Sequence, residues 1–182
     1  MHVFLTTDRL ILRRLEPSDV DRFVELDADP GVLAFISSGP PTTRAEIEAM
    51  MPGLLAEYAA SGGLGRFAAL ERSTGEFIGW MAMRPRAADV GELGYRLRPR
   101  FWGKGYATEG SRALLDAAFH DFPVQRVYAE TMFINAPSRA VMERVGMRHL
   151  RTFHVDFEDP IPGTELGEVE YEITRAQWEQ AR

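Results

Sequence analysis

Apolar positions along the chain follow two rhythms, and the changes between them mark out the elements. Leu10-Ile11-Leu12, set among Arg9, Arg13 and Arg14, reads as a first strand. Pro17-Ser18-Asp19 then opens a short helix that carries Val20, Phe23, Val24 and Leu26 at helical spacing. Residues 30–42 are loop-like, with Pro30-Gly31, Ser37-Ser38-Gly39 and Pro40-Pro41. Thr43 followed by Glu46 has capping-box spacing and starts a second helix toward Ala60. Pro52 lies inside it, so a kink or a break near Met51 is expected. Beyond Gly62-Gly63 come two strands, Arg66–Arg72 and Phe77–Arg84, joined by the turn Ser73-Thr74-Gly75-Glu76. Glu92–Leu97 is a further strand. A long helix follows, with Ala107, Gly110, Ser111, Leu114, Leu115, Ala118 and Phe122 on one face. Arg126–Phe133 is rich in β formers, Ala136–Val145 is helical and stops at Gly146, and Met147–Phe157 and Gly167–Thr174 alternate as strands. The order βααβββαβαββ predicts a mixed α/β (α+β) domain, and no repeat, low-complexity tract or linker divides residues 1–182.

Composition narrows the class. A chain of 182 residues buries roughly 70% of its unfolded surface as one domain. The absence of cysteine excludes disulfides, a thiol nucleophile and cysteine-ligated metal. No apolar run approaches the ~20 residues that cross a bilayer, and Met1-His2-Val3-Phe4 lacks a secretory pattern, so a cytoplasmic protein is expected. A net charge of −6 argues against nucleic acid as partner and tilts toward cationic ligands. The four histidines have no ligand spacing, so no metal site is expected.

The segment Pro99-Arg100-Phe101-Trp102-Gly103-Lys104-Gly105-Tyr106-Ala107-Thr108-Glu109 carries the most chemistry. A strand that turns through two glycines into a helix leaves backbone N–H groups without partners. Together with the positive end of the helix dipole, they suit a phosphate or diphosphate. A tight turn in which the glycines serve geometry alone fits the local pattern as well. The dinucleotide fingerprint fails because Thr108 stands where its third glycine belongs. The P-loop spacing fails because Gly105 follows Lys104, the single lysine of the chain. What remains is Arg-x-x-Gly-x-Gly, in Arg100, Gly103 and Gly105.

On these residues the chain resembles the GNAT superfamily of acetyl-coenzyme A-dependent N-acetyltransferases. The longer run from Gly94-Tyr95 through Glu109 is similar to the branch containing the ribosomal-protein acetyltransferases RimJ and RimL. The resemblance implies a GNAT fold, with one mixed, mostly antiparallel sheet splayed between the strands at 92–97 and 126–133 and helices on both faces. It implies acetyl-CoA as co-substrate, held by Gly103, Lys104, Gly105, Tyr106, Ala107 and Thr108 with Arg100. Pantetheine would then pair with backbone near Leu97 and Arg98 and with the Asn135 amide. Asn135 is equally a helix cap, and Ser138 equally a small residue of the first turn.

The implied reaction is acyl transfer from a thioester to a primary amine, either a protein N-terminus or a small molecule. An alkylamine with a pKa near ~10 arrives protonated, so a proton acceptor is needed. A backbone N–H at the end of the 92–97 strand suits the oxyanion. Many family members carry a tyrosine seven residues after the asparagine; here that residue is Met142. Ser138 is then the candidate for contact with the sulphur. Glu130, with Glu92 second, is the candidate base, and each also reads as a solvated strand residue. Trp80, Tyr95 and Trp102 read as packing, and loops 30–42 and 158–165 as walls of the acceptor pocket. The alternative is a coenzyme A-binding sensor without turnover, and a homodimer is plausible.

Overall fold

β3 (Gly65–Glu71) and β4 (Phe77–Ala87) are buried on both faces, and the alternation of their side chains shows why. Phe67, Ala69, Met81 and Met83 point into one apolar cluster. Ala68, Leu70, Trp80 and Ala82 point into another on the opposite face. The first cluster is closed by α4 (Tyr106–Asp121) through Leu114, Leu115, Ala118 and Phe119. The second is closed by α1 (Val20–Asp27) and α3 (Arg44–Ala60) through Phe23, Leu26, Ile47, Met51 and Leu54. The near-continuous apolar run of β4 is thus that of a strand covered twice. The structure, a computed structural model, describes residues 1–36 and 38–181; Ser37, part of the loop expected at 30–42, lies outside the described residues.

The remaining elements are β1 (Val3–Thr6), β2 (Leu10–Arg14), α2 (Pro30–Leu33), β5 (Val90–Leu97), β6 (Arg126–Met132), α5 (Ala136–Arg144), β7 (Arg148–Phe153), β8 (Glu168–Thr174) and α6 (Arg175–Gln180). They form an 8-stranded sheet of order β1-β2-β3-β4-β5-β6-β8-β7. Every pairing is antiparallel except β5 with β6. That parallel pairing is short: Val90, Gly91 and Glu92 face Arg126, Val127 and Tyr128, after which the two strands part. The expected splay is therefore present, and it opens toward the C-terminal ends of both strands.

Three expectations are corrected. β1 and the short helices α2 and α6 were absent from the pattern read from sequence. The strand expected over 147–157 stops at Phe153. α3 runs through Pro52 without a break. Pro52 and Glu48, whose carbonyl loses its usual donor, are exposed, so water can serve that carbonyl. Ile47, Met51, Leu54 and Tyr58 are buried on both sides of the proline and hold the helix to the sheet. Among the described residues no helix is long and apolar enough to cross a membrane.

Candidate active site

The gap between β5 and β6 widens into a cleft of about 840 Å³. Its head is the loop joining β5 to α4. Gly103 and Gly105 both have positive φ, 71° and 85°, and Gly105 is the residue from which α4 departs. A side chain at either would be strained, which is why the turn is built from glycine. No hydrogen bond is made by the amides of residues 103–108 to any described residue, and α4 has no side-chain cap. A row of free donors at a helix N-terminus, opening on a cleft, suits a bound diphosphate.

The loop is held from below. Glu109 in the first turn of α4 accepts from Thr7 Oγ1 at 2.6 Å, from the Arg9 amide at 2.9 Å and from Arg9 Nε at 2.6 Å. Arg9 Nη1 donates to the Lys104 carbonyl at 2.9 Å, and the Arg9 guanidinium lies 4.7 Å over the Tyr106 ring. Tyr106 turns its own hydroxyl to Glu71. No local motif at residues 7–9 announces this brace, because it joins positions about a hundred residues apart.

Most of the residues singled out from sequence line the cleft: Glu92, Leu97, Gly103, Lys104, Gly105, Tyr106, Ala107, Thr108, Glu130, Asn135 and Ser138. Arg98 and Arg100 do not. The Arg98 amide donates to the Ile78 carbonyl at 2.8 Å and its side chain pairs with Glu25 at 2.6 Å. Arg100 pairs with Glu76. Because Arg98 turns toward β4, alternation turns the Leu97 backbone the other way, into the cleft. Its carbonyl there accepts from Trp102 Nε1 at 2.7 Å, which leaves its amide for a ligand. Of the two expected walls, residues 30–42 contribute Val32, Phe35 and Ile36. The 158–165 loop contributes none and instead meets the first wall, where Ser38 Oγ donates to the Asp159 carbonyl at 3.0 Å.

Asn135 caps α5, accepting from the Ser138 amide at 3.2 Å while its Nδ2 donates to Thr131 Oγ1 at 3.1 Å. One amide hydrogen and one lone pair are left over. Met142 is buried and has no polar atom to offer a sulphur. A hydroxyl reaches that region from the opposite strand. Tyr95 crosses from β5 to α5, donating to the Ser138 carbonyl at 3.0 Å with its oxygen 2.9 Å from Ser138 Oγ. Burial pushes the Tyr95 phenol up to about 12. From sequence Tyr95 reads as packing, and only the strand splay reveals its partner.

The two carboxylates differ. Glu92 is engaged by Arg86. Glu130 stands at the exposed rim, and partial burial followed by the charges of Glu170 and Glu92 raises its pKa. Glu168, beside it on β8, is raised by burial and then by Glu130. A carboxyl whose proton affinity is raised in this way is the better proton acceptor.

A family model for the acetyltransferase (GNAT) domain matches residues 9–148. The FsC-acetyl coenzyme A-N(2)-transacetylase of Aspergillus fumigatus is 37% identical over 96% of this chain and 77% of its own length. Two solved structures share the fold at 17% identity. The spermidine N-acetyltransferase of Vibrio cholerae, in complex with CoA and spermine, has a TM-score of 0.79 over 95% of this chain and 99% of its own. RimL, a ribosomal-protein alpha-N-acetyltransferase in complex with coenzyme A, has a TM-score of 0.80 over 95% and 98%. The free amides ahead of α4, the cleft they open on and these matches lead to one family: the chain belongs to the GNAT acetyltransferases and is an N-acetyltransferase.

Proposed function

We propose that this enzyme acetylates a primary amine, with acetyl-CoA held along the β5–β6 cleft and its diphosphate on the amides of residues 103–108. The observation that carries this reading is the row of partnerless amides at the mouth of α4, set between two glycines of positive φ. The leftover groups of Asn135 and the cleft-facing amide of Leu97 suit the polar atoms of a pantetheine arm. When bound, acetyl-CoA supplies the thioester carbonyl and a thiolate leaving group.

The chain's own groups then divide the work. Glu130, directly or through water, takes the proton that an incoming ammonium must shed. Another backbone N–H toward the splayed end of β5 offers the hydrogen bond that an oxyanion needs. Ser138 orients a sulphur, and Tyr95 fixes the Ser138 hydroxyl. Burial holds Tyr95 neutral with its proton on the Ser138 carbonyl, so the Ser138 hydroxyl can turn its own proton from the Tyr95 oxygen to the sulphur. A thiolate with a pKa near ~8.5 leaves without full protonation.

The test is thiol release from acetyl-CoA with a panel of primary amines. Turnover with at least one amine is expected. Ser138→Ala and Tyr95→Phe should each lower kcat about 10–100-fold while acetyl-CoA affinity holds. Unchanged kcat in both would remove the pair from the mechanism.

A further inference from the structure

Gly105 gives the coenzyme loop its turn and also a weakness. Its positive φ of 85° lets the chain enter α4. The same freedom makes the peptide between Lys104 and Gly105 easy to turn over. Such a flip changes mainly ψ of Lys104 and φ of Gly105, and glycine accepts either sign of φ. One orientation offers the Gly105 N–H to an anion in the cleft; the other offers the Lys104 carbonyl, which repels it. The next peptide has no such choice. The Gly105 carbonyl accepts from the Glu109 amide at 3.0 Å, and that bond keeps the Tyr106 N–H pointing out of the helix end.

What fixes the Lys104–Gly105 peptide comes from 95 residues away, where Arg9 Nη1 donates to the Lys104 carbonyl at 2.9 Å. The peptide is trans, so its C=O and N–H point in opposite directions. A carbonyl held by Arg9 therefore turns the Gly105 N–H away from Arg9. Gly105 lines the cleft and Arg9 does not, so the side left to that N–H is the ligand's side. Arg9 is itself immobilised. Its Nε and Nη2 each lie 2.6 Å from Glu109 Oε2, and its guanidinium stacks 4.7 Å over the Tyr106 ring. Tyr106 and Glu109 both belong to the first turn of α4, so Arg9 ties the loop to the helix that it opens.

We propose that Arg9 is a positioning residue for the coenzyme: it locks the Lys104–Gly105 peptide with its N–H toward the cleft, where that N–H binds the diphosphate, and does not touch the ligand itself. This rests on the reading of residues 103–108 as the diphosphate site. Attraction by the Arg9 charge alone is a weaker account, because Glu109 neutralises that charge at 2.6 Å.

Arg9→Gln removes the lock. Calorimetry with coenzyme A should show affinity lowered about 10–100-fold, the worth of one hydrogen bond to a charged group. With an amine that the wild type turns over, KM for acetyl-CoA should rise while kcat at saturation stays within about twofold. The separating probe is S-acetylpantetheine, the same thioester without a diphosphate, which wild type and Arg9→Gln should use with equal kcat/KM. Arg9→Lys keeps a cation beside Glu109 but loses the guanidinium fork, and it carries the same comparison should Arg9→Gln not fold. Unchanged affinity for coenzyme A in the folded variant would overturn the proposal. So would an equal loss with S-acetylpantetheine, which marks a general disturbance of the cleft. If the wild type itself binds no coenzyme A, the diphosphate site falls and the role of Arg9 with it; if wild type and variant bind it equally, only the lock falls.

Discussion

Asp19 is fully buried, with Arg13 gripping both of its oxygens, at 2.6 and 2.7 Å, and Arg22 adding a third contact at 2.8 Å. Burial by itself would raise its pKa. Hydrogen bonds from Arg13 and the Glu16 amide, with the Arg13 charge, overcome that and hold it below the ordinary value of 3.8. A lowered folded pKa means that the ionised form stabilises the fold. That contribution is complete above the unfolded carboxylate pKa and is lost as pH falls through the lower folded value. Asp19→Asn should cost about 3–5 kcal/mol, because it strands a buried arginine. It should also flatten the acid limb of a plot of unfolding free energy against pH; denaturant melts between pH 3 and 7 measure both. At this scale the sequence is a poor guide. Glu130 and Ser138 could be singled out because they stand at fixed offsets from Asn135. Tyr95 meets its partner Ser138 43 residues away, on another element, and such a partner leaves no local trace.

Elements with strong local determinants were legible. The two glycines between a strand and an amphipathic helix announced the loop, and its geometry follows from their positive φ. Gly105→Val forces a branched side chain into that conformation at a cost of about 1–3 kcal/mol, and its Cβ would lie 3.3 Å from the Arg9 guanidinium that braces the loop. Titration calorimetry should find acetyl-CoA binding weakened about tenfold or more, with the far-UV spectrum unchanged; retained affinity would detach the loop from coenzyme binding. β1 and α6 went unread because four and six residues are too few to display a period. Of the kink or break expected near Met51, the break is absent because the apolar face of α3 outweighs one missing backbone bond. The splay between β5 and β6 came from family resemblance alone and their parallel pairing went unread, since hydrophobic spacing does not say which strands become neighbours.

At the scale of the molecule, a sheet with one apolar cluster on each face makes a rigid frame, and the interruption of its ladder beyond Glu92 and Tyr128 makes the cleft. The two ends of that cleft are furnished differently. One has neutral, partnerless amides ahead of α4, and the other has the carboxylates of Glu92 and Glu130 together with Arg96 and Trp80. On the proposed reading, one frame presents two sites whose ligands meet between the parted strands. The most direct check is thermal unfolding with and without acetyl-CoA. At about 100 times its dissociation constant the coenzyme should add about 2.7 kcal/mol, or roughly 5–10 °C for a chain of this size, and NAD at the same concentration should add far less. No rise with acetyl-CoA, or an equal rise with NAD, would contradict the assignment of the cleft.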